Sequence, residues 1–468
     1  MFKNFQLQIV VACLYAILLL SSCGIDPPKN LSKDVKEFDY TIALEWSAQF
    51  LEVDRYTTNA APPATARQMG YLNLACYEAI LPGMSADYRS IASKFQGLNI
   101  PAIDNNKQYD FQEVYNACYA RSLTQYFKDM PSKNSFDIIS LESKWEKDIE
   151  KNVTLDVVDR SRDYGRRVAD AVFAWSKTDL VGADLMSNLK PQYKAPVGPG
   201  FWLSGTSQAS GNGILPQLGQ ARAFTFGANE NIVRDPEEIY GVSYSEDINS
   251  LMYLQAKEVM ALTNKARTGA AYNELYWRAE FWSDDIKGIT FSPPGRIIAI
   301  AIQMFPDAKP NLAVAVECLA KIGVASTDCA IATWKGKYVY NIERPDTYIN
   351  RIIDKNWKTI LGVKPTLLGK AVTPAFPAYP SGHSTFGGSG AAILSDMFGY
   401  NHPMTDKCHE GRTEFYGKAR SYKNFTEQGE ENAYSRIPLG VHYRMDCEEG
   451  LYTGREVARR VLNLGWKR

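Results

Sequence analysis

Apolar residues recur at helical spacing along most of the chain. Phe38, Ile42, Ala43, Trp46, Phe50 and Leu51 form a first amphipathic stretch. A second carries Met69, Leu72, Leu74, Ala75 and Ile80 and follows Pro62-Pro63; prolines are favoured just inside a helix start. The same periodicity predicts helices over about 110–130, 136–150, 155–177, 246–264, 272–283, 294–305, 310–337, 383–398 and 445–464. Period-two alternation is almost absent. The pattern therefore predicts an all-α chain of helical bundles.

The periodicity breaks from about 178 to 243, where Gly, Pro, Asn and Ser dominate, as in Pro196-Val197-Gly198-Pro199-Gly200. So long an irregular stretch is either functional or a plain linker. Its aromatics, Tyr193, Phe201, Trp202, Phe224 and Phe226, favour an excursion packed on the helical body, at the entrance of a site. There is also an internal echo: Leu72–Ile80 resembles Ile322–Ile331. Two related bundles would explain it, and so would chance likeness between small-residue helices.

At the N-terminus, Lys3 precedes an apolar run from Ile9 to Leu20, then Ser21-Ser22-Cys23. This reads as a secretory signal over 1–22, of a lipoprotein type that leaves Cys23 lipidated. An uncleaved membrane anchor is the alternative. The expected organisation is a linker at 23–35, an N-terminal helical region at 36–245 containing the excursion, and a C-terminal domain at 246–468. The expected location is the bacterial cell envelope, as a periplasmic or outer-surface lipoprotein, touching membrane through that anchor only. Fifty-two basic and 52 acidic residues leave no net charge, so nothing draws the chain globally to nucleic acid. Any anion must be held by a local arrangement. Cys76, Cys118, Cys318, Cys329, Cys408 and Cys447 fit no zinc spacing. One or two disulfides, or buried free thiols, are open.

Three motifs in the C-terminal third carry chemistry. The first is Lys337, six residues, then Arg344-Pro345. Positions seven apart share a helix face, while Pro345 forces the chain out of helix nearby; the bland alternative is a solvated face. The second is Pro380-Ser381-Gly382-His383, a turn running into a helix. Free backbone N–H groups at such a start bind anions, Ser381 adds a hydroxyl, and Gly382 allows close approach; alternatively Ser381 is only an N-cap. The third is Ser435-Arg436, then His442 and Asp446. His and Asp four apart on a helix meet on one face. A carboxylate on one imidazole nitrogen makes the other a better nucleophile or metal ligand; a surface salt bridge is the rival. Two of only four histidines fall in these motifs. Together the motifs supply the donors that a tetrahedral oxyanion requires. His402 and His409, in a polar loop, read as surface residues.

These motifs resemble those of the phosphatidic acid phosphatase type 2 / vanadium haloperoxidase superfamily. The resemblance implies a helical bundle whose single site holds phosphate or vanadate. It implies that Lys337, Arg344, Ser381, Gly382 and Arg436 bind the equatorial oxygens and that His442 is the vanadium ligand or phosphatase nucleophile. Asp446 would orient His442, and His383 would be the acid–base group. The stretch Phe376–Gly388 is similar to the chloroperoxidase type, and Trp334 matches a halide-pocket tryptophan. The haloperoxidase branch is therefore favoured, with Trp334 and Phe376 seating the halide. Glu343 departs from the aromatic common beside the arginine; it either weakens anion binding or points to solvent.

The implied activity is halide oxidation by hydrogen peroxide at a histidine-bound vanadate, with Lys337 polarising the bound oxygen and a small organic acceptor possible downstream. The same residues would serve an acid phosphatase working through a phosphohistidine, without vanadate. A decayed, merely anion-binding lipoprotein is a third reading.

Overall fold

A computed structural model describes residues 32–57, 61–183, 193–203, 213–268 and 273–468. The signal segment, Cys23 and most of the 23–35 linker lie outside them. The longer helices are α1 (Thr41–Tyr56), α2 (Pro62–Ile80), α3 (Phe111–Tyr126), α4 (Ser132–Ile149), α5 (Leu155–Lys177), α6 (Leu251–Arg267), α7 (Glu274–Phe281), α8 (Pro293–Ala308), α9 (Leu312–Tyr340), α10 (Pro345–Ile352), α11 (Gly382–Phe398), α12 (Phe425–Tyr434) and α13 (Arg444–Leu462). Two three-residue strands, β1 (Met404–Asp406) and β2 (Arg420–Tyr422), pair antiparallel. The fold is thus all-α in its architecture. The periodicity did not predict α10, α12 or the ribbon, which are too short to display a pattern.

α9 is the axis of the molecule. Its sequence is small and apolar on every side (Ala, Gly, Ser, Thr, Val), and such a helix belongs in the interior; almost every residue from Leu312 to Trp334 is buried. Its principal partner is α2, so the two echoing segments lie against each other. Gly70 and Gly323 permit this. A Cβ on Gly70 would stand 2.9 Å from the Gly323 carbonyl, and one on Gly323 2.9 Å from that of Met69. One buried apolar cluster runs from Val35 to Trp466 through both halves of the chain.

α11 and α13 pack as closely, again through glycines. A Cβ on Gly454 would meet the Thr385 carbonyl at 2.1 Å, and one on Gly450 that of Ser381 at 2.6 Å. Ser381 N donates to the Asp446 carbonyl at 2.9 Å. The start of one helix is thereby fastened to the start of the other, which brings the second and third motifs together.

The described parts of the irregular excursion are packed, not loose. Asp328 of α9 accepts from Phe224 N (2.7 Å), Thr225 N (2.9 Å) and the Thr225 hydroxyl (2.6 Å). Glu449 of α13 accepts from Arg234 N (2.8 Å) and Nε (3.0 Å) and from the Tyr240 hydroxyl (3.0 Å). The Ile214 carbonyl accepts from Trp334 Nε1 at 2.9 Å and the Tyr338 hydroxyl at 2.8 Å. The six cysteines from Cys76 onward are free thiols, all buried except the half-buried Cys408. No helix among the described residues is long and apolar enough to cross a membrane.

Candidate active site

Lys337 lies in the last turn of α9, which Asn341 closes with a left-handed φ of 55°. Arg344 is the residue before Pro345 at the start of α10. The chain therefore leaves helix between them, and they do not share a helix face. Both are fully buried. Lys337 Nζ donates to the carbonyls of Pro377 (2.9 Å), Ala378 (3.0 Å) and Pro380 (2.6 Å). Arg344 donates through Nε to the Phe376 carbonyl (2.8 Å) and through Nη1 to that of Val441 (2.8 Å). Its Nη1 also stands 3.1 Å from His442 Nε2. Both cations thus grip the segment that leads into Ser381.

Ser381 is the N-cap of α11, its hydroxyl accepting from Ser384 N at 3.3 Å, with Gly382 and His383 in the first turn. The capping reading and a ligand-binding one coexist, because the hydroxyl keeps its own proton to donate. A Cβ on Gly382 would meet nothing nearer than the Trp334 ring, at 3.7 Å. That is ordinary van der Waals contact, so Gly382 packs against the Trp334 face.

His442 precedes α13 and is not on it. Asp446, three residues into the turn, reaches back; its Oδ2 accepts from Tyr443 N (3.0 Å) and lies 2.9 Å from His442 Nδ1. The pairing read from the four-residue spacing is present, but made across a helix start rather than along a helix face. Both groups are buried, so this is no surface salt bridge. An ionised Asp446 fixes the tautomer with the proton on Nδ1 and the lone pair on Nε2.

Trp334 and Phe376 face each other with ring centres 5.1 Å apart. Lys337 Nζ stands 5.0 Å and the Arg344 guanidinium 4.9 Å from the Phe376 ring centre. Glu343 neither points to solvent nor faces the anion donors. It is buried, accepts from Arg351 at 2.6 Å, and its own N–H donates to the Gly200 carbonyl at 2.9 Å.

The electrostatics show one shared site. Burial, then Arg344, Lys337, Arg436 and His383, hold His442 well below the usual imidazole range. Burial, then Arg436, with Arg344 and Lys337 adding, push His383 down to about 3 against the pull of Asp285. The same three cations act on both imidazoles. Burial, then Arg344, keep Lys337 well below an ordinary amine, and burial lowers Arg344 to about 10. Burial raises Asp446 to about 7. Donors in this cluster lack acceptors: Arg344 Nη2 and Arg436 Nε are buried with no hydrogen-bond partner, and so is the ring nitrogen His383 Nε2. A cavity of about 860 Å³ beside Leu44, Ile302, Met404 and Tyr422 includes none of these residues.

Residues 317–465, which hold nearly all of this geometry, match the family model of the VCPO second helical-bundle domain. Over these residues the chain is similar to the vanadium haloperoxidase branch of the phosphatidic acid phosphatase type 2 superfamily. The vanadium chloroperoxidase of Curvularia inaequalis is 27% identical over 217 residues, covering 36% of this chain and 35% of that one. The vanadium-dependent bromoperoxidase of Ascophyllum nodosum is 31% identical over 100 residues, covering 19% and 18%. The match thus spans about a third or less of these curated relatives' length. The crystal structure of the first bacterial vanadium-dependent iodoperoxidase superposes with a TM-score of 0.79 at 26% identity, covering 91% of this chain and 96% of that one. A holo-type bacterial vanadium-dependent chloroperoxidase shares the fold, with a TM-score of 0.58 at 15% identity over 87% and 93%.

One residue at the heart of this haloperoxidase-type site lies outside the three motifs. Asp285 accepts from Arg436 Nη2 at 2.5 Å and stands 3.8 Å from His383 Nε2. Burial opposes its charge, but Arg436 and then His383 outweigh that and bring its pKa below the ordinary carboxylate value. The available signal was an acidic pair, Asp284-Asp285, one residue after Phe281-Trp282. His409 also departs from its surface reading. It is buried, with Nε2 2.9 Å from Arg296 Nη1 and 3.0 Å from the Phe281 carbonyl. His402 is half-buried and stacked on Phe425, ring centres 5.8 Å apart.

Proposed function

We propose that the chain is a vanadium-dependent haloperoxidase, oxidising halide with hydrogen peroxide at a vanadate bound to His442. The observation that carries this is the pair of buried, acceptorless guanidinium donors, Arg344 Nη2 and Arg436 Nε, around a neutral His442. A buried donor without a partner costs about 1–3 kcal/mol. A tetrahedral oxyanion satisfies several donors at once and favours the charged form of Lys337.

In this reading Arg344, Arg436, the Ser381 hydroxyl and the Gly382 N–H bind the oxyanion oxygens, and His442 Nε2 ligates vanadium. Vanadate, when bound, supplies Lewis-acid activation of peroxide without a change of its own oxidation state. Asp446 holds the Nδ1 proton of His442, so that Nε2 keeps its lone pair for the metal. His383, neutral and with Nε2 free of any hydrogen bond, accepts a proton from incoming peroxide in the tautomer that carries its own proton on Nδ1. Lys337 contributes charge from its carbonyl anchorage, and reaches an anion oxygen by exchanging one of its three carbonyl partners.

Trp334 and Phe376 seat the halide. The Trp334 indole N–H is already given to the Ile214 carbonyl, so the seat offers ring faces backed by Lys337 and Arg344. A seat without a free neutral donor compensates poorly for stripping water from a strongly hydrated ion. It favours iodide, and the likeness to the bacterial iodoperoxidase supports that choice.

The test is a paired assay on the purified protein. With orthovanadate, peroxide-dependent oxidation should follow the order iodide, bromide, chloride, and should vanish without vanadate. Phosphate release from an aryl phosphate is measured in parallel with no vanadate present. Hydrolysis without halide oxidation would replace this proposal by the phosphatase reading. The apolar run and Cys23 support export and lipid anchoring in the cell envelope; Cys23→Ala should then release the protein from the membrane fraction.

A further inference from the structure

The stretch Phe281–Asp285 lies between two fully buried arginines. On one side Arg436 donates to the Trp282 carbonyl at 3.0 Å and to Asp285 at 2.5 Å. On the other side Arg296 of α8 donates to Asp284 Oδ1 at 3.3 Å and to Asp406 of β1 at 3.0 Å. Its guanidinium also stands 4.7 Å from the ring centres of both Phe281 and Trp282. Adjacent carboxylates thus face opposite ways, one into the oxyanion cradle and one behind it. The Asp285 N–H bonds to the Ser283 carbonyl at 2.7 Å, which tightens the stretch between them.

Such an arrangement is a poor way to stabilise a core. Replacing a buried ion pair by apolar side chains of similar volume is often neutral or stabilising. Here the network even leaves Asp284 Oδ2, Arg296 Nε and His409 Nδ1 without partners. What it does provide is direction: a fork that fixes the stretch at its carboxylate and at both aromatic faces. The stretch in turn delivers the only carboxylate bonded to Arg436 among the described residues.

We infer that Arg296 and Asp284 are positioning residues of the cradle, anchoring the 281–285 stretch so that Asp285 is held against Arg436 and beside His383. This rests on the proposed function only in taking the cradle to bind an oxyanion. Asp406 supplies the internal comparison. It shares Arg296 with Asp284, but no backbone continuity carries its displacement to Asp285.

The experiment compares Asp284→Asn and Asp406→Asn with the wild type in the full chain. The probes are orthovanadate and orthophosphate binding by equilibrium dialysis, and the ring ¹⁵N signals of His383, traceable because the chain has four histidines. Asp284→Asn should weaken vanadate binding about tenfold and move the His383 signals, with a melting point within about 5 °C of wild type. Asp406→Asn should lower the melting point and leave both probes unmoved. The inference is overturned if folded Asp284→Asn matches wild type on the His383 signals, or if Asp406→Asn moves them equally. Should Asp284→Asn not fold, Asp284→Glu, which keeps the charge but displaces the anchor, carries the same readings. A wild type that binds neither anion would defeat the proposed function, while the His383 signals would still decide the positioning role.

Discussion

Two buried histidines in this molecule each stand beside a buried arginine, and only one of them has the makings of an active-site ligand. His442 Nε2 is 3.1 Å from Arg344, and His409 Nε2 is 2.9 Å from Arg296. Burial is the first cause that depresses both imidazoles, so both are neutral at ordinary pH. The difference lies in the other nitrogen and in the charge around the pair. Asp446 occupies Nδ1 of His442 and turns Nε2 toward Lys337, Arg344 and Arg436. Lys337, Arg344 and Arg436 converge there, and Asp446, Asp346 and Asp285 are the carboxylates that act on Arg344. Around His409, Arg296 sits between Asp284 and Asp406, with Arg412 also acting on the ring, and Nε2 is already crowded by the Phe281 carbonyl. A buried His–Arg contact is therefore not a site. An anion site needs several cationic side chains converging, donors left without acceptors, and an imidazole whose free nitrogen faces both.

The sharpest way to break this comparison is to delete each ring. His442→Ala should reduce vanadate-dependent iodide oxidation by a factor on the order of 10³ or more, since it removes the proposed metal ligand. His409→Ala should cost stability of about 1–3 kcal/mol, through the partners it strands, and leave the turnover number of the folded fraction near wild type. Equal losses in turnover would mean that the two pairs do not differ in kind. Next in size is the carboxylate on Nδ1. Asp446→Asn should weaken orthovanadate binding by about 10- to 100-fold, as expected when the partner orienting a metal-bound imidazole is lost. Equilibrium dialysis measures this without any assay of turnover, and unchanged affinity would remove Asp446 from its orienting role.

The contrast also marks how far the sequence could be read. Lys337, Arg344, Ser381, Gly382, His383, Arg436, His442 and Asp446 were legible because each motif is local: a short spacing carries the chemistry and a helix start or end presents it. The long helices were legible for a similar reason, since a 3.6-residue repeat over many turns is hard to mistake. Asp285 was not, because its meaning comes from Arg436, far away along the chain, and nothing near it repeats. Nor was the burial of His409, set in a polar loop that the β1–β2 ribbon folds over Arg296. The helical placement of His442 failed for a subtler reason: the same four-residue spacing serves a side chain that reaches back across a helix start. The excursion's attachment to Asp328 and Glu449 was equally hidden, since its partners are single carboxylates within helices whose apolar pattern masks them.

The smallest expected effect tests the charge balance behind the site through pH. Burial raises Asp284 to about 7, against Arg296. Asp406 lies below its ordinary value, because Arg296 and the Cys408 contacts outweigh burial. The two carboxylates on one arginine should therefore have opposite linkage. A raised folded-state pKa means that the native chain binds more protons than the unfolded one between about pH 4 and 7, so the contribution of Asp284 is fully present below that window and is lost as pH rises through it. A lowered one means that the contribution of Asp406 is present above about pH 4 and is lost as pH falls further. Urea titrations across pH 3 to 8 should show Asp284→Asn flattening the neutral-side decline. In the same series Asp406→Asn should flatten the acid-side one. If both variants changed the same limb, Arg296 would not be dividing its charge between an ionised and a protonated partner. The region behind the cradle would then differ from the cradle in geometry alone.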